Sequence, residues 1–93
     1  MESIIQSKNE KKCFICGSEN WLESHHIFGG ANRNLSEKYG LKVWLCHYCH
    51  NEPPQGVHHN RKNAENLYKL GQTAFNLYYP DKDFVSIFGR NFI

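Results

Sequence analysis

The chain has 93 residues, a formal net charge of +2 and four cysteines. That length holds one small domain, and a domain of this size buries only about 60% of the surface its unfolded chain exposes, so a staple is expected. No apolar run approaches the roughly 20 residues that span a bilayer, and the polar stretch after Ile5 does not read as a signal peptide; the expectation is a cytoplasmic protein without a membrane partner.

Residues 1–12 are polar and charged and read as a flexible N-terminal arm; residues 13–93 read as a single domain. Cys13-Phe14-Ile15-Cys16-Gly17 is a tight knuckle whose glycine can take a left-handed backbone. Residues 21–28 predict a first strand, and the glycine- and asparagine-rich residues 29–34 a loop. Residues 35–39 predict a turn of helix ended by Gly40. Residues 41–45 alternate as a second strand and run straight into the second knuckle, Cys46-His47-Tyr48-Cys49. Pro53, Pro54 and Gly56 prevent residues 50–60 from forming one regular helix. Over residues 63–79, Ala64, Leu67, Tyr68, Gly71, Ala74, Phe75 and Tyr78 share a helical stripe widened by Leu70 and Leu77, with Asn63 as the cap and Pro80 as the stop. Asp81 is placed to cap a last short helix carrying Phe84, Val85, Ile87 and Phe88 and ended by Gly89.

Cys13-x-x-Cys16 and Cys46-x-x-Cys49 are separated by 29 residues. Each CxxC turn sets two thiolates on one side of a loop, within reach of a metal at roughly 2.3 Å, and two such turns complete a tetrahedron. A closed four-sulfur shell leaves no open position, so the expected ion is a structural zinc. Its binding energy, on the order of 10 kcal/mol, becomes folding energy. The clamp also gathers histidines. Of the six in the chain, none falls in the long helix; they stand as His25-His26, His47, His50 and His58-His59. Joining Cys16 to Cys46 lays the strand bearing His26 beside the strand bearing Trp44 and brings His50 alongside.

The succession Cys13-x-x-Cys16-Gly17, Glu23-Ser24-His25-His26-Ile27 and Leu45-Cys46-x-x-Cys49-His50 resembles the CxxC-HH-CxxCH arrangement of zinc-bearing HNH endonucleases. It is particularly similar to small bacteriophage HNH proteins with a HHIFGGANR-type segment and a GVH segment after the second knuckle. The likeness covers residues 13–60 directly; any one motif alone is weak. It implies a small α+β zinc-stapled domain, a ββα-metal finger (two-stranded hairpin plus helix, core 13–79) with a C-terminal helical extension over 80–93. It implies a metal-dependent endonuclease that nicks DNA, with phage recombination or packaging proteins as possible partners and the bacterial host cytoplasm as its location. By position, His25 becomes a ligand of the catalytic cation and His26 the general base. The second ligand is His50, or His58 (less readily His59) just ahead of the long helix; the two are left open because residues 51–57 break the helix that starts near that histidine in the family.

A second departure concerns the asparagine of HNH. It ordinarily precedes the third cysteine by five residues, where this chain has Leu41. Asn32, Asn34 or a backbone carbonyl would have to orient His26, and that role is unassigned.

The chemistry suits these residue types. A neutral imidazole accepts a proton from water near neutral pH, worth roughly 10²–10⁴ in rate, and a single cation acts as Lewis acid and leaving-group clamp. Magnesium prefers oxygen ligands, whereas imidazole suits manganese, nickel or zinc, so the metal is open among Mg2+, Mn2+, Ni2+ and Zn2+. In a regular strand His25 and His26 point to opposite faces; both serve one site only if the strand ends or bulges there. Arg33, Lys42, Arg61 and Lys62, with Lys38, are candidate phosphate contacts. Two other readings compete. A non-catalytic zinc-ribbon module binding nucleic acid or protein explains the cysteines but has no use for His25-His26; a nuclease fold without activity fits the missing asparagine.

Overall fold

A computed structural model describes residues 1–93. It shows a small compact α+β domain: strand β1 (Leu22–His26), helix α1 (Arg33–Tyr39), strand β2 (Lys42–Cys46), helix α2 (His47–Asn51), helix α3 (Arg61–Tyr78) and helix α4 (Phe84–Phe88). No helix is long and apolar enough to cross a membrane.

The two strands form an antiparallel hairpin in continuous register, from Leu22 opposite Cys46 to His26 opposite Lys42. β1 is shorter than the predicted residues 21–28, whereas β2 keeps the predicted five residues, displaced by one toward the second knuckle. β1 stops at His26 because the chain turns inward there: Ile27 and Phe28 are buried, and Ser36 of α1 holds Phe28 by both backbone groups. The Ser36 hydroxyl accepts from the Phe28 N–H at 3.0 Å and donates to its carbonyl at 2.8 Å.

Residues 1–12, expected as a flexible arm, lie along the outer edge of β2. A strand edge presents unpaired backbone groups, and side chains from the N-terminal segment satisfy them. The Trp44 N–H donates to Gln6 Oε1 at 2.7 Å, the Ser3 hydroxyl donates to the Lys42 carbonyl, and the Gln6 amide donates to the Lys12 carbonyl at 2.9 Å. Gln6 is buried as a result. Polar composition suggested fraying; here it closes a sheet edge.

α3 supplies the long wall of the core. It begins at Arg61, two residues earlier than expected, because Asn60 and not Asn63 is the cap: Asn60 Oδ1 accepts from the Asn63 N–H at 2.9 Å. Leu67, Gly71 and Phe75 are buried on one stripe as the spacing predicts, but Leu77 and Tyr78 at its end are exposed. Gly71 lets α3 approach the end of the hairpin, since a Cβ there would stand 2.9 Å from the Phe28 ring. Asp83, not Asp81, caps α4, accepting from the Val85 N–H at 3.1 Å. An aromatic cluster results, with Phe28 beside Tyr68, Phe84, Phe88 and Phe92, and Phe75 beside Tyr39, Tyr79, Phe84 and Phe88. Gln72 of α3 pins the C-terminal tail, donating to Asn91 Oδ1 at 2.8 Å and accepting from the Phe92 N–H at 2.7 Å.

Candidate metal centres

The two knuckles meet at one end of the hairpin. Phe14 N–H donates to the Trp44 carbonyl at 2.8 Å, fixing the first knuckle against β2, and β2 passes directly into the second knuckle on α2. The sulfurs of Cys13, Cys16, Cys46 and Cys49 lie within 4.8 Å of one another, with Cys16 and Cys46 at 3.6 Å, and no disulfide joins them. Sulfurs at roughly 2.3 Å from a shared tetrahedral ion stand about 3.8 Å apart, so the set fits zinc. The electrostatics agree. Burial opposes the Cys13 thiolate, yet backbone N–H groups of Cys16, Cys46 and Ile15 outweigh it and hold the thiol down to about 6. Burial, followed by the neighbouring sulfurs of Cys46, Cys13 and Cys16, pushes Cys49 up. Four thiolates so close ionise together only beside a compensating cation.

The second cluster is built from imidazoles. Glu23 and His25 share one face of β1, His50 rises from α2, and His58 arrives from the segment after it. That segment doubles back through Gly56, whose N–H donates to the Glu52 carbonyl at 2.7 Å; a Cβ at Gly56 would stand 2.7 Å from the Glu52 nitrogen, so only glycine permits the return. Val57 N–H then donates to the Cys49 carbonyl and His58 N–H to the His50 carbonyl. One nitrogen from each of His25, His50 and His58 falls within 4.8 Å of the others; His50 Nε2 is 3.2 Å from His25 Nδ1 and 2.8 Å from His58 Nε2. Nitrogens bound to one tetrahedral ion at about 2.0–2.1 Å would be about 3.3 Å apart, which these positions approach. The structure therefore brings both His50 and His58 to His25, where the sequence left a choice; His59 is outside the group.

Glu23 stands behind this cluster, unremarked in the sequence. Its Oε1 lies 2.7 Å from His50 Nδ1 and accepts from the Asn51 amide at 3.1 Å, while Oε2 lies 3.3 Å from His47 Nδ1. The His50 and His47 contacts hold the Glu23 carboxyl below its usual range. Burial, then the charges of His50, His58 and His26, lowers His25 to about 3, and burial, then the charges of His50 and His59, lowers His58 as well.

His26 lies apart from the three. It closes β1 on the opposite face, and its Nε2 is 2.9 Å from Glu37 Oε1 on α1. Glu37 also receives Lys42 Nζ at 2.8 Å; the Lys42 and His26 contacts keep its carboxyl well below the usual range. Neither asparagine considered for His26 reaches it: Asn32 donates to the Phe88 carbonyl at 3.1 Å, and Asn34 is exposed. No local motif announces Glu37. Glu23 did carry a signal, since it precedes His25 by two residues on a strand.

Among the candidate phosphate contacts, Lys42 is engaged by Glu37 and Arg61 pairs with Glu65 at 2.9 Å; Arg33, Lys38 and Lys62 are exposed without an ion pair. Comparison with protein-family models, with curated proteins and with solved structures gives no match. What stands is a small α+β domain whose four gathered cysteines can hold a structural ion such as zinc.

Proposed function

We propose that the protein is a metal-dependent endonuclease of the HNH type that hydrolyses phosphodiester bonds in DNA. The observation that carries this reading is the convergence of His25, His50 and His58 beside the four-cysteine cluster, with His26 next in the chain and oriented by a carboxylate. A zinc-ribbon binding module would have no use for three imidazoles gathered around one point.

His25, His50 and His58 would hold the divalent cation, which supplies Lewis-acid stabilisation of the phosphate and of the departing oxygen. Glu23 accepts from His50 Nδ1–H and so directs the Nε2 lone pair of His50 into the cluster. Glu37 accepts from His26 Nε2–H, which leaves Nδ1 of His26 to take a proton from the attacking water. The opposite facing of His25 and His26 serves this chemistry. In-line displacement puts nucleophile and leaving group on opposite sides of phosphorus, so a phosphate across the end of β1 would meet the base on one side and the cation ligands on the other. A single such centre cuts one strand, and the expected product is a nick.

The test is conversion of supercoiled plasmid to open circles by purified protein given Mg2+, Mn2+, Ni2+ or Zn2+ in turn. His26→Ala should lose about 10²–10⁴ of the rate, the range of general-base catalysis, while keeping its fold. Nicking that survives unchanged in this variant would remove His26 as the base, and absence of nicking with every metal would overturn the reading.

A further inference from the structure

Beside the histidine cluster lies an open groove of about 520 Å³ whose lining includes His58, His59, Arg61, Tyr68 and Arg90. Arg90 sits on the tail after α4, outside every motif of the sequence. It has no carboxylate partner, and its guanidinium lies 4.8 Å from the centre of the Phe92 ring. The chain on either side is anchored, by the buried Phe88 before it and by the bonds of Asn91 and Phe92 to Gln72 after it. The flanks of Arg90 are thus fixed while its charge is unspent. Arg61, in the same lining, has a side chain 86% exposed that meets only Glu65 in an i,i+4 pair, a contact worth little in water and readily exchanged for a phosphate.

We infer that this groove binds the backbone of the nucleic-acid strand on which the histidine cluster acts, with Arg90 and Arg61 each taking a phosphate next to the one at the cluster. The inference rests on the hydrolytic reading for the identity of the strand. Its chemistry is that of planar guanidinium donors facing a diester anion, one of them braced on an aromatic ring. Glu65 is the groove's one carboxylate, against the two guanidinium groups of Arg61 and Arg90, so the lining carries a net positive charge.

The experiment measures binding of a fluorescein-labelled DNA oligonucleotide by zinc-loaded protein across a salt series, without added second metal. Arg90→Gln should weaken binding about tenfold at low salt and reduce the slope of log affinity against log salt by about one, as loss of one phosphate contact does. Arg90→Lys should restore the slope, and Lys82→Gln, outside the groove, should change neither quantity. Equal melting temperatures of wild type and Arg90→Gln exclude unfolding as the cause. If wild type binds and Arg90→Gln binds equally well with the same slope, the groove assignment is overturned while the hydrolytic reading stands. If wild type does not bind DNA yet, given Mg2+, Mn2+, Ni2+ or Zn2+ in turn, hydrolyses bis(p-nitrophenyl) phosphate, the groove again fails alone; if it does neither with any of these cations, both fail.

Discussion

His50 Nδ1 lies 2.7 Å from Glu23 Oε1, and this contact decides that the other ring nitrogen of His50 faces His25 and His58. Two residues twenty-seven positions apart therefore fix the aim of the ring at the centre of the cluster. Glu23→Gln should keep the shape and lose the charge that polarises the imidazole. We expect affinity for a second Zn2+ or Co2+ equivalent to fall about 10–100-fold, the usual effect of losing the carboxylate behind a ligating histidine. Titration of protein whose sulfur cluster is already loaded measures it, and equal affinity in the two proteins would show that the charge of Glu23 does not strengthen the hold of His50 on the ion.

The sulfur cluster should decide whether the chain folds at all. A structural zinc supplies on the order of 10 kcal/mol, comparable with the entire 5–15 kcal/mol stability of a typical domain. Cys46→Ser should lose zinc and, with it, the cooperative unfolding transition; circular dichroism and metal analysis read both. A zinc-free variant that still melted cooperatively would show that the aromatic core suffices.

Glu37→Gln separates orientation of His26 from cation binding. Under the proposed function it should slow nicking, by less than the about 10²–10⁴ expected for removing the imidazole itself. Affinity of the second metal should be unaltered, because Glu37 contacts none of His25, His50 and His58. A change in metal affinity with an unchanged rate would place Glu37 on the wrong side of the chemistry.

Ser36 offers a stability test remote from both clusters. It is fully buried, and its hydroxyl satisfies the N–H and the carbonyl of Phe28 together. Ser36→Ala would leave two buried backbone groups unpaired, at about 1–3 kcal/mol for an unsatisfied group. Chemical denaturation should report a loss of at least that size; a midpoint unmoved would mean that water replaces the hydroxyl.

What the sequence made legible follows from how local each signal is. The CxxC pairs encode a gathered sulfur set because each knuckle is complete within four residues, and hydrophobic spacing located both strands, the long helix and Gly89 as the end of α4. Capping was misread at Asn63 and Asp81 because competing caps at Asn60 and Asp83 sit two or three residues away, and only backbone geometry chooses between them. Gln6, Ser36, Gln72 and Glu37 were invisible for another reason. Each acts on a partner from a separate element, and nothing in a polar residue's own neighbourhood tells whether its amide, hydroxyl or carboxylate meets water or a distant strand.

The position of His26 on the reverse side of the strand from His25 has a stereochemical corollary. Should both imidazoles act on one phosphate, the three oxygens that stay on phosphorus must pass through a plane as the incoming atom displaces the outgoing one. A diester made chiral with sulfur and labelled oxygen would then yield a monoester of the opposite hand, whereas a route through a covalent protein intermediate, with two successive displacements, would return the original one.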